Sequence, residues 1–246
     1  MIDLKYLKKV IPYFIITLTV LGLVFVSISS DSDSVVRSSN TGTPVIIIDA
    51  GHGGADGGAV ADDNTQEQYI NLDIALKMND ILTKLGYETI MTRTDDNSIH
   101  DADAKTIREK KVSDLHNRLK IIQSNPDSIF VSVHQNHFSE SKYSGAQVFY
   151  SANNPSSENL AQMIQLNIKE LLQPENEREI KESGESIFLL YNSEVPSVLV
   201  ECGFLSNREE TEKLKNEDYR LQMAQAVCKG IIEYLNCEEF SSSLND

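Results

Sequence analysis

Cysteine is scarce and basic residues are few. The 246-residue chain has three cysteines, Cys202, Cys228 and Cys237, too few and too odd in number for a disulfide scaffold. They form no CxxC pair, so a cysteine-rich zinc site is excluded as well. Lys and Arg total 22 against 37 Asp and Glu, a formal net charge of -15. Phosphate backbones repel such a chain, which argues against nucleic acid as a partner. The glycines at 51, 53, 54, 57 and 58 form no GxGxxG, and no P-loop lysine follows them, so a phosphate cradle is poorly supported. Internal repeats, a Pro-rich linker and a second zone of composition are all lacking. What remains is an ordinary globular mixture, 40% hydrophobic and 24% charged, which excludes a mostly disordered chain and a multi-span membrane protein.

The N-terminus is a separate object. Lys5, Lys8 and Lys9 precede an uncharged, mostly apolar run of 19 residues, Val10 to Ile28, and a polar, Ser-rich stretch follows to Thr43. Basic, then apolar, then polar is the layout of an export signal, and 19 residues also suffice to span a bilayer core of about 30 Å. Cleaved signal and uncleaved anchor both fit. Either would put the rest of the chain on the outer side of the cytoplasmic membrane or in the wall. Residues 1–43 hold four of the 22 basic groups and three of the 37 acidic ones, so the remainder carries 18 and 34, a net of -16. Residues 44–240 read as one domain, and the Ser-rich acidic tail, 241–246, as disordered.

Along that domain apolar strands alternate with amphipathic helices. Strands are expected at Val45–Asp49, Glu88–Thr92, Ile129–Val133, Ala146–Tyr150, Ile187–Leu190 and Ser197–Val200. Helices are expected at Glu67–Leu85, stopped by Gly86, at Ser113–Ser124, at Ser156–Leu172 and at Asp218–Leu235. The order predicts a single α/β domain, a mostly parallel twisted sheet of about six strands with helices on both faces.

Three of the strands end in residues foreign to a core: Asp49-Ala50-Gly51-His52-Gly53-Gly54, His134-Gln135-Asn136, and Glu201-Cys202-Gly203-Phe204. Ligands of open α/β sheets bind at the carboxyl ends of strands. Glu67, opening the first helix, lies at the same end. Two histidines and a carboxylate with an open position form the ligand set of a catalytic zinc. Taken singly, each has a plainer reading: a loop histidine, a helix-dipole glutamate, an ion-pair partner. Taken together at one sheet mouth, they favour a site.

The ordered blocks Ile48–Gly54, Glu67 with Asn71-Leu72, Thr92–Asp96, Leu115 with Arg118, Ser132–Asn136 and Pro196–Asn207 resemble those of the zinc-dependent N-acetylmuramoyl-L-alanine amidases of the amidase-3 type. The resemblance spans roughly residues 45–235. Within that family the chain is similar to the spore-cortex, germination-specific branch: it is short, carries one export segment and lacks wall-binding repeats.

The resemblance implies Zn2+ held by His52, Glu67 and His134, with Glu201 as the catalytic carboxylate. It implies hydrolysis of the amide between N-acetylmuramic acid and L-alanine in peptidoglycan, which in spore cortex prepares muramic acid for δ-lactam formation. Asn136, His137 and Arg118 are candidate substrate or oxyanion contacts. Strand alternation turns 134 and 137 to opposite faces, which favours His134 as the ligand over His137. One departure stands out: the family usually has Lys after the metal glutamate, and here it is Gln68. A long substrate calls for an open groove. Without a wall-targeting module, either the N-terminal anchor or an accessory, activating protein would hold the chain at the wall. Two alternatives share the pattern: a zinc peptidase of the stem peptide, and a non-catalytic peptidoglycan-binding or regulatory module of the same fold.

Overall fold

The computed structural model describes residues 42–243, with side chains to residue 237. The basic–apolar–polar segment of residues 1–41 and the last three residues lie outside the described residues.

β1 (Val45–Ala50), α1 (Glu67–Lys84), β2 (Thr89–Met91), α2 (Ile107–Gln123), β3 (Ser128–Asn136), β4 (Gln147–Tyr150), α3 (Ser156–Leu171), β5 (Lys181–Glu182), α4 (Phe188–Asn192), β6 (Ser197–Phe204), α5 (Arg208–Lys215) and α6 (Glu217–Ser243) follow in order. The sheet runs β2-β1-β3-β6-β4-β5. All neighbours are parallel except β4 against β6. No described helix is long and apolar enough to cross a membrane.

Alternation along the strands sorts the side chains to two faces. Ile46, Ile48, Val131, Val133, Val148 and Val200 enter the larger core with residues of α1, α3 and α6. Ile47, Phe130 and Leu199 enter a smaller core with Leu119 and Ile122 of α2 and Leu189 and Leu190 of α4. On this second face the apolar positions give way two residues later to Asp49, Ser132 and Glu201, and then to His134. One period-two rule thus builds both a core and a polar row above it.

Local chemistry sets the helix ends. Thr106 and Glu109 form a reciprocal capping box at the start of α2, six residues before the Ser113 start expected from sequence. That first turn is charged and solvated, so it shows no apolar period. At the end of α1, Gly86 takes φ +92°, and Tyr87 and Gly86 donate to Leu82 and Thr83 carbonyls, closing the helix in a Schellman turn. The expected strand at Ile187–Leu190 is instead the helix α4. A short apolar run does not fix its own period, and Leu189 and Leu190 reach the core equally well from a turn of helix. β5 and α5 were not anticipated: the one is two residues long, the other charged along its length and capped by Asn207. α6 continues past Leu235 to Ser243, into the stretch expected to be a loose tail.

Beneath the polar row lies a buried ion pair. Arg118, 1% exposed, bonds Asp49 of β1 and Asp114 of its own helix. Burial favours a neutral Asp49, but Arg118, Ser132 and Thr92 outweigh it and hold the carboxyl below its usual range. Removing one partner from such a pair leaves an uncompensated buried charge. Arg118→Met is therefore expected to lower the unfolding free energy by about 3–5 kcal/mol in chemical denaturation at pH 7. Adding Asp49→Asn should recover part of that loss; an unchanged denaturation midpoint in the single variant would show the pair to be idle.

Candidate active site

Glu67 is the hinge of the site. It opens α1, is 2% exposed, and accepts from three fixed donors: the Ala59 amide at 2.7 Å, the Gln135 amide at 2.9 Å and Asn71 Nδ2 at 3.1 Å. Asn71, one turn along α1, also donates to the Gly51 carbonyl and accepts from Gln135 Nε2. With its orientation fixed, the carboxylate meets both imidazoles, His52 Nε2 at 3.2 Å and His134 Nδ1 at 2.9 Å. The ligand atoms of His52, Glu67 and His134 all lie within 4.8 Å of one another. Burial favours a neutral Glu67, but the two histidines prevail and hold it far below the usual carboxylate range.

His52 is aimed from behind. Its Nδ1 meets Asp56 Oδ2 at 3.0 Å, and Asp56 is held by Lys111 at 2.7 Å, so Nε2 is left to face Glu67 and His134. A carboxylate behind a ligating imidazole fixes its tautomer and raises its basicity. Burial lowers the proton affinity of His52, but Asp56 and Glu67 more than reverse this, lifting its pKa to about 9.

Glu201 stands on β6 as the register partner of His134 on β3, so the two share a face. Unlike Glu67 it meets no hydrogen-bond donor among the described residues, and its Oε2 is buried without a partner. Desolvation, helped by the nearby Glu67 charge and opposed by the histidines, pushes its pKa up to about 7. Two carboxylates near the same histidines are thus set apart by their surroundings, one held ionised and the other with its proton affinity raised by burial.

Residues 46–233 match the family model of the N-acetylmuramoyl-L-alanine amidases. The chain belongs to that family. It is 34% identical over 190 residues to a germination-specific N-acetylmuramoyl-L-alanine amidase of Bacillus subtilis, covering 77% of this chain and 79% of the relative. Among solved structures it is similar to the CwlD amidase of Clostridioides difficile in complex with the GerS lipoprotein, with 42% identity, a TM-score of 0.76, and 79% of this chain and 99% of that one covered. It is also similar to the catalytic domain of the amidase CwlV of Paenibacillus polymyxa, with 30% identity and a TM-score of 0.66 over 78% and 98% of the two chains.

In this amidase the residues anticipated from sequence divide into three groups. His52, Glu67, His134 and Glu201 converge. Asn136 ends β3 just past an irregularity in the β3–β6 register, and His137 is exposed beyond the strand, outside the cluster. Arg118 does not face substrate, contrary to expectation. Its Nε is bonded to Asp114, its Nη1 to Asp49 and the Ala50 carbonyl, and its Nη2 to the His52 carbonyl at 2.6 Å. It positions the His52 loop instead. Gln68 turns its side chain to Gln66 rather than to the cluster. Sequence reasoning overlooked Asp56 and Arg93 as supports. Arg93 donates to the carbonyls of Ala50, Gly51 and Gln68, and its place in the Thr92–Asp96 block was the only sign of this role.

Two glycines leave the room that His134 and Glu67 occupy. A Cβ on Gly51 would stand 2.3 Å from His134 Cε1 and Nε2. One on Gly58, which has φ +70°, would stand 2.4 Å from Glu67 Oε2. Gly51→Ala is expected to displace the His134 ring and strip bound metal from a protein that still folds, as elemental analysis beside circular dichroism would show. Full metal content in Gly51→Ala would contradict this packing. A second expectation concerns protons. Below pH 9 His52 must lose a proton before Nε2 can ligate, so metal affinity should rise about tenfold per pH unit up to that point. Calorimetry in buffers of different ionisation enthalpy would count the released proton, and a flat affinity would refute it.

Proposed function

We propose that this amidase hydrolyses the N-acetylmuramoyl–L-alanine bond of peptidoglycan with Zn2+ held by His52, Glu67 and His134, and that Glu201 is its proton-transfer group. The observation that carries this reading is the closeness of the three ligand atoms with the donorless Glu201 in register beside them. The donor set fits: two imidazoles and a carboxylate suit zinc, whereas magnesium and calcium prefer all-oxygen shells. Zinc there would supply a Lewis acid for the amide carbonyl and a water that ionises near neutral pH.

The chain's own residues do the rest. Glu201, ionised, takes a proton from the attacking water as the carbon–oxygen bond forms. The same carboxyl, now protonated, hands that proton to the alanine nitrogen as the carbon–nitrogen bond breaks, and so returns to its starting state. A proton affinity near neutrality suits both halves of this cycle. Glu67 stays ionised throughout, and Asn71 with the two amides keeps it from turning towards substrate.

Similarity to the germination-specific relative and to CwlD supports a role in spore cortex, where the cut prepares muramic acid for δ-lactam formation. The N-terminal segment, as export signal or membrane anchor, delivers residues 44–240 to the extracytoplasmic side. The GerS complex of the CwlD neighbour supports an accessory protein as a partner here.

Mass spectrometry of the products tests the reaction. The zinc-loaded full chain is expected to release stem peptides that begin at L-alanine, to stop with chelator and to recover with zinc. Fragments cut inside the stem peptide would make it a peptidase. Glu201→Gln should lower kcat by about 10²–10⁴-fold while zinc content stays unchanged. Wild-type kcat should rise with pH through an inflection at or below 7, since a bound cation draws the Glu201 value downward. Loss of zinc in Glu201→Gln, or an inflection well above 7, would remove Glu201 from this role.

A further inference from the structure

In a chain where acids outnumber bases 37 to 22, Arg178 touches no carboxylate among the described residues, although its charge is felt by Glu201 and Glu210. Among the described residues its side chain makes one hydrogen bond, from Nη2 to Gln147 Oε1 at 2.6 Å, and no ion pair. Its guanidinium lies over the Phe204 ring, 4.9 Å from the centroid, and its Nε is buried with no partner. An aromatic face holds an arginine plane in one orientation, so little freedom remains to be lost when an anion binds.

Its place follows from the sheet. His134, Glu201 and Gln147 are register partners across three adjacent strands, so their side chains form one row on one face. Arg178 is held one hydrogen bond beyond Gln147, on the far side of Glu201 from the metal cluster. There it lines a cleft of about 720 Å³ between the 142–145 loop, the 172–178 segment and the start of α5. The cleft lies beside the cluster rather than over it: none of its lining residues is a metal-ligand candidate.

Proton delivery decides which part of the substrate lies there. Glu201 must reach the departing nitrogen, so the peptide half of the substrate is on the Glu201 side of the cluster and the sugar half on the other. The peptide half carries free carboxylates. Four glutamates, Glu175, Glu177, Glu209 and Glu210, also line the cleft against two lysines, Lys142 and Lys213, so the arginine, held by Phe204 and Gln147, is the fixed cation among mobile ones.

We propose that Arg178 is a specificity residue of the amidase, binding a carboxylate of the stem peptide in the cleft beside Glu201. The proposal rests on the amidase reading above. A guanidinium takes a carboxylate in a planar, charge-assisted contact that an amide does not reproduce.

The test compares two substrates on one enzyme: muropeptides with free stem carboxylates, and the same muropeptides with those carboxylates converted to primary amides. Wild type, zinc-loaded and full-length, is expected to prefer the free acid by about 10- to 100-fold in kcat/KM, chiefly through KM. Arg178→Gln should abolish the preference by losing activity on the acid and keeping it on the amide. Arg178→Lys should retain part of it. An Arg178 that only props Gln147 or tunes Glu201 would affect both substrates alike and shift the pH profile of kcat; an unchanged preference in Arg178→Gln overturns the proposal. Inactivity of both variants on both substrates also overturns it, in favour of a structural role. A wild type that releases no L-alanine-terminated peptide from either substrate defeats the amidase reading itself.

Discussion

The segment after β1 has nowhere ordinary to place its carbonyls. β2 ends at Met91, and beyond that point the chain from Ala50 to His52 has no strand on its β2 side. Two buried arginines take over. Arg118 and Arg93 between them hold the carbonyls of Ala50, Gly51, His52 and Gln68. Asp49, ionised beneath them, compensates Arg118. Burying these charges is expensive, and a well-packed apolar substitute would serve stability about as well. What an apolar substitute would not supply is direction. His52 sits at φ 62°, a conformation most side chains avoid, and a guanidinium bonded to its own carbonyl holds it there.

The same economy explains how two glutamates near the same histidines come to behave differently. Glu67 is surrounded by donors belonging to α1, β3 and the glycine loop, all of which stabilise its charge. Glu201 comes up from a central strand into a place where no described residue donates to it, and burial raises its proton affinity. Sequence position does not distinguish the two carboxyls. The count of donors around each carboxyl does, and that count is fixed by which elements meet there.

Much of this was legible in the chain. The β-branched runs at 45–49, 129–133 and 197–200 gave the central strands, and their abrupt polar endings gave His52, His134 and Glu201. That the last two share a face came only with the strand register, which pairs His134 with Glu201. Legibility failed where the local signal was charged or short. The first turn of α2 and all of α5 lack an apolar stripe, so Thr106 and Asn207 were their only markers. The run at 187–190 has the composition of a strand and the length of a helical turn, and only the room left beside Leu199 and Phe130 decides between them. Arg118 was placed at the site for a sound reason but with the wrong function, because sequence shows that an arginine belongs to a site without showing which way its donors point.

The sheet also dictates what kind of substrate the site can take. On the face that carries His134, Glu201 and Gln147, the cover consists of α2 and the five-residue α4. Phe149 and Gln147 remain half-buried and Lys181 exposed at the β4–β5 edge. A longer α4 would bury that half of the face and turn the site into a pocket. Left short, it leaves the row of polar side chains an open bench with room along its length. His134 and Glu201 sit on central strands, Glu67 opens α1 and the glycine loop brings only His52, so access is gained at the edge of the sheet without loosening its centre.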